Sequence, residues 1–276
     1  IFAHLQNDKH GLELTSLSSE VNLKMVEQTF NNLLKYYPNV KGVKIEILKS
    51  FGEHHGLGCG TQMRLSIAAA LNFLNNSQND NIVLANQVGR GGTSGIGVWT
   101  FKLGGLIIDG GHSFGHGFEK EFFTPSSISS SPPPPLIGRY DFPSDWKIIC
   151  ITPISTEKLF GESEINLFKN SCPVKMQEVD STCWTILMRL LPALTNKNLS
   201  EYNLAIEEIQ GLGFKKNVWD AQPREVKVIK DIMKLEKING IGLSSLGSTL
   251  FATVPKGDDE YLIKKLTDSI TKNDLQ

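Results

Sequence analysis

Over residues 43–48 apolar and polar positions alternate, with Val43, Ile45 and Ile47 on one side, the period of a half-buried strand. A helical period follows, carried by Met63, Ile67, Leu71 and Leu74. Upstream, Val26, Phe30, Leu33 and Leu34 form another helical stripe, and Pro38 and Gly42 mark its exit. Residues 106–108 predict a short apolar strand running into Asp109, and residues 146–152 predict a strand that opens a second part of the chain. Ile186, Leu187, Leu190, Leu191 and Leu194 predict a strongly apolar helix. Tyr202, Ala205, Ile206 and Ile209 predict another, with Gly211 and Gly213 near its end. Pro223 suits the first turn of a helix carrying Val226, Ile229 and Met233. A strand over 249–254 and a helix with Leu262, Leu266 and Ile270 close the pattern. The reading is an α+β protein in two parts, 1–143 and 144–276.

Between the first strand and its helix lies HHGLGCGTQ. Strand, glycine loop and helix start aim free backbone N–H groups at one point, with the helix dipole behind them, which suits phosphate. The same glycines would also serve a tight turn into a buried helix. Residues 89–120 are denser still in glycine, which usually means backbone lying beside a ligand or another backbone. Residues 240–254 read as a glycine and serine turn entering a strand. Residues 126–138 hold four consecutive prolines, an extended segment read as a stiff loop near the domain junction.

These blocks, GLGCGTQ, GRGGTSGIGVWTF, IDGGHSFGHGFEK, PPPPLIGRYDFPSDWKI, LLPAL, EIQGLGFK and GLSSLGSTLFA, resemble the GHMP kinase superfamily. Within it, the chain is similar to the β-ribofuranosylaminobenzene 5′-phosphate synthase family of archaeal methanopterin-type cofactor biosynthesis. The resemblance implies a two-domain GHMP-kinase-like fold, ribosomal-protein-S5-like in its N-terminal half and ferredoxin-like in its C-terminal half. It implies a pentosyltransferase that joins 5-phosphoribosyl 1-diphosphate to 4-aminobenzoate or 4-hydroxybenzoate and releases CO2 and diphosphate. One departure points away from the kinases. Many of them follow Ser-Gly-Ile with an Asp, often taken as the catalytic base, whereas here Ser94, Gly95 and Ile96 are followed by Gly97. A hydroxyl nucleophile attacking a γ-phosphate benefits from a positioned base, which glycine cannot be.

The resemblance also implies site residues. Gly56, Gly58, Cys59, Gly60 and Thr61 are expected to cradle phosphate, with Ser94 and His116 as further phosphate or substrate contacts. Ser244 and Ser245 either complete an anion pocket or form an ordinary turn. Arg90 forks onto phosphate or the arene carboxylate, or lies on the surface. Asp109 ligates Mg2+, stabilises positive charge at the anomeric carbon, or caps the following turn. His112 serves as a donor or is a surface loop residue, and zinc is disfavoured because Gly111, Gly115 and Gly117 argue against a helix. Glu119 is a second candidate Mg2+ ligand and Lys120 a phosphate contact, or the two form an exposed ion pair. Cys59 reads as a small loop filler, with a nucleophile as the alternative if its place at a helix N-terminus lowers its pKa.

Composition bounds the remainder. With 276 residues and 40% hydrophobic content the chain can bury two modest cores. A net charge of −1 gives no sign of a nucleic-acid surface, and no stretch of eighteen apolar residues suggests a membrane span. Four cysteines without CxxC spacing suit a reducing cytoplasm. The expected partners are small-molecule substrates and a second copy in a homodimer. The chain starts at Ile1, and the related synthases carry further N-terminal strands and a basic, histidine-containing segment, so the first domain is expected to lack its first strands. A small-molecule kinase and a non-catalytic regulator on the same fold are the alternatives.

Overall fold

The computed structural model describes residues 1–6, 10–113, 115–117, 120, 122–125, 128–129, 131–154, 159 and 161–272. It divides into two units: Ile1–Glu53 with Gly58–Arg139, and His54–Leu57 with Tyr140–Gln276.

The first unit runs β1 (Phe2–Leu5), β2 (Gly11–Ser16), α1 (Leu23–Leu33), β3 (Gly42–Ile47), α2 (Cys59–Leu74), α3 (Asn81–Gln87), α4 (Ile96–Leu103), β4 (Leu106–Asp109) and β5 (Leu136–Tyr140). Its three-stranded sheet has the order β1-β3-β2. β1 is antiparallel to β3, with Phe2 opposite Glu46, and β2 is parallel to it, with Leu14 opposite Ile45. The parallel pair needs a crossover, and α1 provides it. Asn22 caps α1 by accepting from the Met25 N–H at 3.1 Å. Val26, Phe30 and Leu33 of α1 share a core with Ile45 and Ile47 of β3, Leu65, Ile67 and Leu71 of α2, and Val98 of α4.

α4 is the element that the glycines conceal in the sequence. Gly95 is its N-cap and Val98 its buried residue. The proline run explains much of the surrounding glycine. A Cβ at Gly91 would come 2.6 Å from Pro133 Cγ, one at Gly95 2.9 Å from Pro134 Cγ, and one at Gly110 2.9 Å from Pro135 Cγ. The Trp99 indole N–H donates to the Pro134 carbonyl at 2.9 Å, and the Gly110 N–H to the Pro135 carbonyl at 2.8 Å. The prolines therefore lie along the glycine-rich segment as a strut within the first unit.

The second unit runs β6 (Trp146–Ile151), α5 (Glu162–Ser171), α6 (Met176–Thr185), α7 (Leu191–Thr195), α8 (Leu199–Gln210), α9 (Gly213–Asp220), α10 (Arg224–Leu235), β7 (Gly242–Leu243), β8 (Leu250–Pro255) and α11 (Asp259–Lys272). Its antiparallel sheet has the order β6-β8-β7, with Trp146 opposite Pro255 and Leu243 opposite Leu250. The core gathers Ile149, Leu250, Ala252 and Val254 from the sheet with Val226, Ile229 and Met233 of α10 and Leu266 of α11. α6 and α7 are joined by a π-helical stretch, Ile186–Leu190. Pro192 has no N–H to give the Met188 carbonyl, so the hydrogen-bond ladder is already broken there and can widen. Pro223 differs from its expected place: it is the N-cap of α10, with ψ 161°, rather than a residue of the first turn.

Candidate functional site

In the first unit the site is built on the start of α2. Gly58 is the N-cap at φ 70°, and a Cβ added there would meet no atom within 4 Å. Its carbonyl accepts from the N–H groups of Thr61 and Gln62 at 3.0 and 3.1 Å. The N–H groups of Gly58, Cys59 and Gly60 make no backbone hydrogen bond among the described residues. Those are the orphan donors of a helix start, at the positive end of a 16-residue helix.

Two arginines stand beside them. A Cβ at Gly60 would lie 3.1 Å from Arg64 Nη1, 3.1 Å from Glu53 Oε1 and 3.8 Å from Arg90 Nη2. Arg64 donates to the Gly60 carbonyl at 3.1 Å, and burial lowers its pKa, opposed by the Glu53 carboxylate. An arginine stays protonated through such a shift. Arg90 is thus near the glycine loop, while Arg64 and Glu53 carry no motif and were not read from the sequence. The nucleophile alternative for Cys59 loses its basis. Burial raises it, and the Glu53 and Glu20 carboxylates add to the rise, so the thiol holds its proton against the helix dipole.

The start of α4 is organised by Asp109 at the end of β4. Its Oδ2 accepts from the Gly95 N–H at 2.7 Å and from the Ser94 hydroxyl at 3.4 Å, and its Oδ1 accepts from the Gly111 N–H at 3.1 Å. The carboxylate therefore caps the turn that follows it and anchors the segment before α4 as well. Gly97 lies against α2: a Cβ there would come 3.2 Å from Thr61 Cγ2, and its carbonyl accepts from Gln62 Nε2 at 2.7 Å. The methyl of Thr61 fills the space beside the position at which the kinases carry a carboxylate.

His112 Nε2 lies 3.3 Å from the Gly91 carbonyl, and His116 is exposed in a turn. The pair is not on a helix. Lys120 is not exposed as expected: it is buried, 6% exposed, and its ammonium donates to the Gly92 carbonyl at 2.5 Å. Glu119 lies outside the described residues. Among the described residues no three His, Cys, Asp or Glu side chains gather as a metal cage.

In the second unit, residues 54–57 pack on the glycine and serine turn. The Ser244 hydroxyl donates to the Gly56 carbonyl at 2.9 Å, and the Thr249 N–H to the His55 carbonyl at 3.2 Å. A Cβ at Gly56 would fall 2.1 Å from the Ser244 carbonyl oxygen. Gly56 is therefore required by a neighbouring backbone, and the Ser244 hydroxyl is engaged in holding it. Ser245 is exposed at φ 50°, and its carbonyl accepts from the Lys215 ammonium at 2.5 Å.

Both the fold and these loops define a GHMP-type protein. Residues 24–105 match the family model described as GHMP kinases N terminal domain. The homoserine kinase of Cytophaga hutchinsonii shares the fold with a TM-score of 0.67 at 14% identity, over 99% of this chain and 82% of that one. A 4-(cytidine 5′-diphospho)-2C-methyl-D-erythritol kinase shares it with a TM-score of 0.56 at 17% identity, over 96% and 81%. The β-ribofuranosylphenol 5′-phosphate synthase of Methanocaldococcus jannaschii is 37% identical over 278 residues, which is 95% of this chain and 82% of that protein. The synthase of the same name from Archaeoglobus fulgidus is 42% identical over 214 residues, 77% of this chain and 64% of that protein. The chain belongs to the β-ribofuranosylphenol 5′-phosphate synthase family. No helix among the described residues is long and apolar enough to cross a membrane.

Proposed function

We propose that this protein is a ribosyltransferase that condenses 5-phosphoribosyl 1-diphosphate with 4-hydroxybenzoate. The observation that carries the reading is the 37% identity to a synthase across 95% of the chain. The phenol in that relative's name favours the hydroxy acid. Joining the anomeric carbon to the ring carbon that bears the carboxylate, with loss of CO2, leaves a phenol from 4-hydroxybenzoate and an aniline from 4-aminobenzoate.

In this reaction the ring carbon forms a bond to the anomeric carbon as the bond to diphosphate breaks, the leaving oxygen keeping the electron pair. The ring then loses CO2, and the electrons of that bond restore aromaticity. The chain's own contribution is electrostatic and positional. The N–H groups at the start of α2, with Arg90 and Arg64 beside Gly60, meet the charge that grows on the departing diphosphate. Asp109 fixes the segment before α4 through Gly95 and Gly111, which makes it a positioning residue for Ser94. Mg2+ binds through one or two carboxylates together with substrate phosphates. The Asp109 oxygens already accept from the N–H groups of Gly95 and Gly111, so a Mg2+ ion here would be held chiefly by the substrate phosphates.

The test is to incubate the protein with 5-phosphoribosyl 1-diphosphate, Mg2+ and each aromatic acid, and to measure CO2 and diphosphate. Release of both in equal amounts with 4-hydroxybenzoate is expected. Stoichiometric ADP formation from ATP and an alcohol, with no diphosphate release, would replace the reading by a kinase.

A further inference from the structure

Helix α6 and the π-helical stretch that follows it turn an apolar face outward. Met176 is 71% exposed, Trp184 55%, Leu187 59% and Met188 63%, with Val179 and Cys183 open between them. The opposite face is the one that packs. Thr185 and Leu190 are buried there, the Thr185 hydroxyl donates to the Glu208 carboxylate of α8 at 2.9 Å, and Arg189 pairs with the same carboxylate. The helix is therefore fixed on its inner side, and the outer side chains cannot roll into the core. Single apolar residues scattered on a surface need no explanation, but a contiguous row does.

The row is straight. Asp180, Trp184, Met188 and Pro192 are exposed at steps of four. In a helix of 3.6 residues per turn such steps overshoot each turn, and a row built on them winds around the axis. The π-helical turn at Ile186–Leu190 is wider and takes the overshoot back, so the row stays on one side along α6 and into α7. A straight apolar row suits another helix laid along it. Its charge narrows the choice of occupant. Between Met176 and Met188 the charged residues are Glu178 and Asp180, both in the N-terminal half. An acidic row disfavours an anionic lipid surface, which takes helices rich in Lys and Arg. It favours a second copy in antiparallel register. A two-fold axis near Cys183 and Trp184 lays the acidic half of each helix toward the Arg189 end of the other and keeps the two acidic halves apart. The six apolar side chains open an area on the order of 500 Å2, near the top of the range for a patch on a monomer. With Gln177, Asp180 and Ser181 at its edge, the face approaches the roughly 800 Å2 per partner of a specific interface.

We propose that the α6 face is the interface of a two-fold homodimer, with α6 antiparallel to α6 of the second copy and Cys183 and Trp184 near the axis. The proposal is independent of the ribosyltransferase reading. Sedimentation velocity of the full chain across the micromolar range tests it. The expected result is a dimer for the wild type and loss of the dimer in Leu187→Asp and in Met188→Asp, each with the far-UV circular dichroism of the wild type. A short bismaleimide should join two wild-type copies. Joining should persist in Cys150→Ser, which removes another exposed cysteine, and disappear in Cys183→Ser. A wild type that is a monomer at every concentration overturns the proposal, whether it then binds phosphatidylglycerol vesicles or another protein. A dimer that survives both substitutions, or one joined through Cys150 and not Cys183, overturns it by placing the interface elsewhere. A dimer that Cys183 does not join overturns the antiparallel register. If one substitution disturbs the fold, the other and the wild-type cross-link decide.

Discussion

In the loop before α2, Gly58 stands at φ 70° with open space where a side chain would be. In the segment that ends at Gly111, by contrast, Gly91, Gly95 and Gly110 each carry a proline against the Cα. Gly58 leaves room for something outside the chain, whereas the place of a side chain at Gly91, Gly95 and Gly110 is filled by the chain itself. Glycine density alone therefore does not mark a ligand site. What marks one is glycine whose missing side chain nothing else replaces, next to donors that nothing else uses.

The sharpest way to break this contrast is at Gly56, which neighbours the open loop in sequence but belongs to the filled class. Gly56→Ala puts a methyl 2.1 Å from the Ser244 carbonyl at φ 82°, and should cost about 3 kcal/mol or more. Thermal unfolding reads this directly, and an unchanged melting temperature would mean that the two backbones are not in contact. Gly91→Ala should come next, at about 2–3 kcal/mol, from its 2.6 Å approach to Pro133 at φ 96°. Diphosphate affinity, compared at a temperature where the variant is folded, should be close to the wild type. Gly58→Ala should cost only about 1 kcal/mol, the backbone penalty of the left-handed region. It should nonetheless weaken diphosphate binding several-fold by calorimetry. If it lowers stability as much as Gly56→Ala and leaves affinity alone, the open loop is structural and the contrast disappears.

The smallest expected effect is a pH dependence in the second unit. Lys215 holds its proton below about pH 8 in the folded protein, against 10.5 for an ordinary lysine. Between about 8 and 10.5 the unfolded chain binds a proton that the folded one does not, so stability rises with pH across that window. Any stability advantage of Lys215→Met at neutral pH should therefore shrink there.

Much of the framework was legible because it is periodic. α1, α2, α8, α10 and α11 each show an apolar stripe, and β3, β6 and β8 show alternation or a bounded apolar run. α4 was hidden because Gly95 and Gly97 interrupt its pattern, although Val98 is fully buried. The short edge strands β1 and β2 and the seven-residue α3 offered too few periods to read. The glycine loop, Arg90 and Asp109 were legible as candidates from residue type and local order. Their partners were not. Asp109 reaches Gly95 across 14 positions, and Gly56 meets Ser244 across 188. Arg64 was missed because a single cation on a helix carries no pattern. Only its surroundings, with the Gly60 carbonyl, set it apart.

The contact between Gly97 and the Thr61 methyl bears on how this fold could change its chemistry. Placing an acid at position 97 first drives its Cβ to 3.2 Å from that methyl, so the substitution strains the seam between α2 and α4 before it can offer a base. Trimming Thr61 to serine beforehand would relieve the strain but give no new activity. Neither change brings a benefit without the other. A side chain at position 97 and the Thr61 methyl therefore compete for one space in the seam between α2 and α4, so an acid at 97 and a smaller residue at 61 would have to be introduced together.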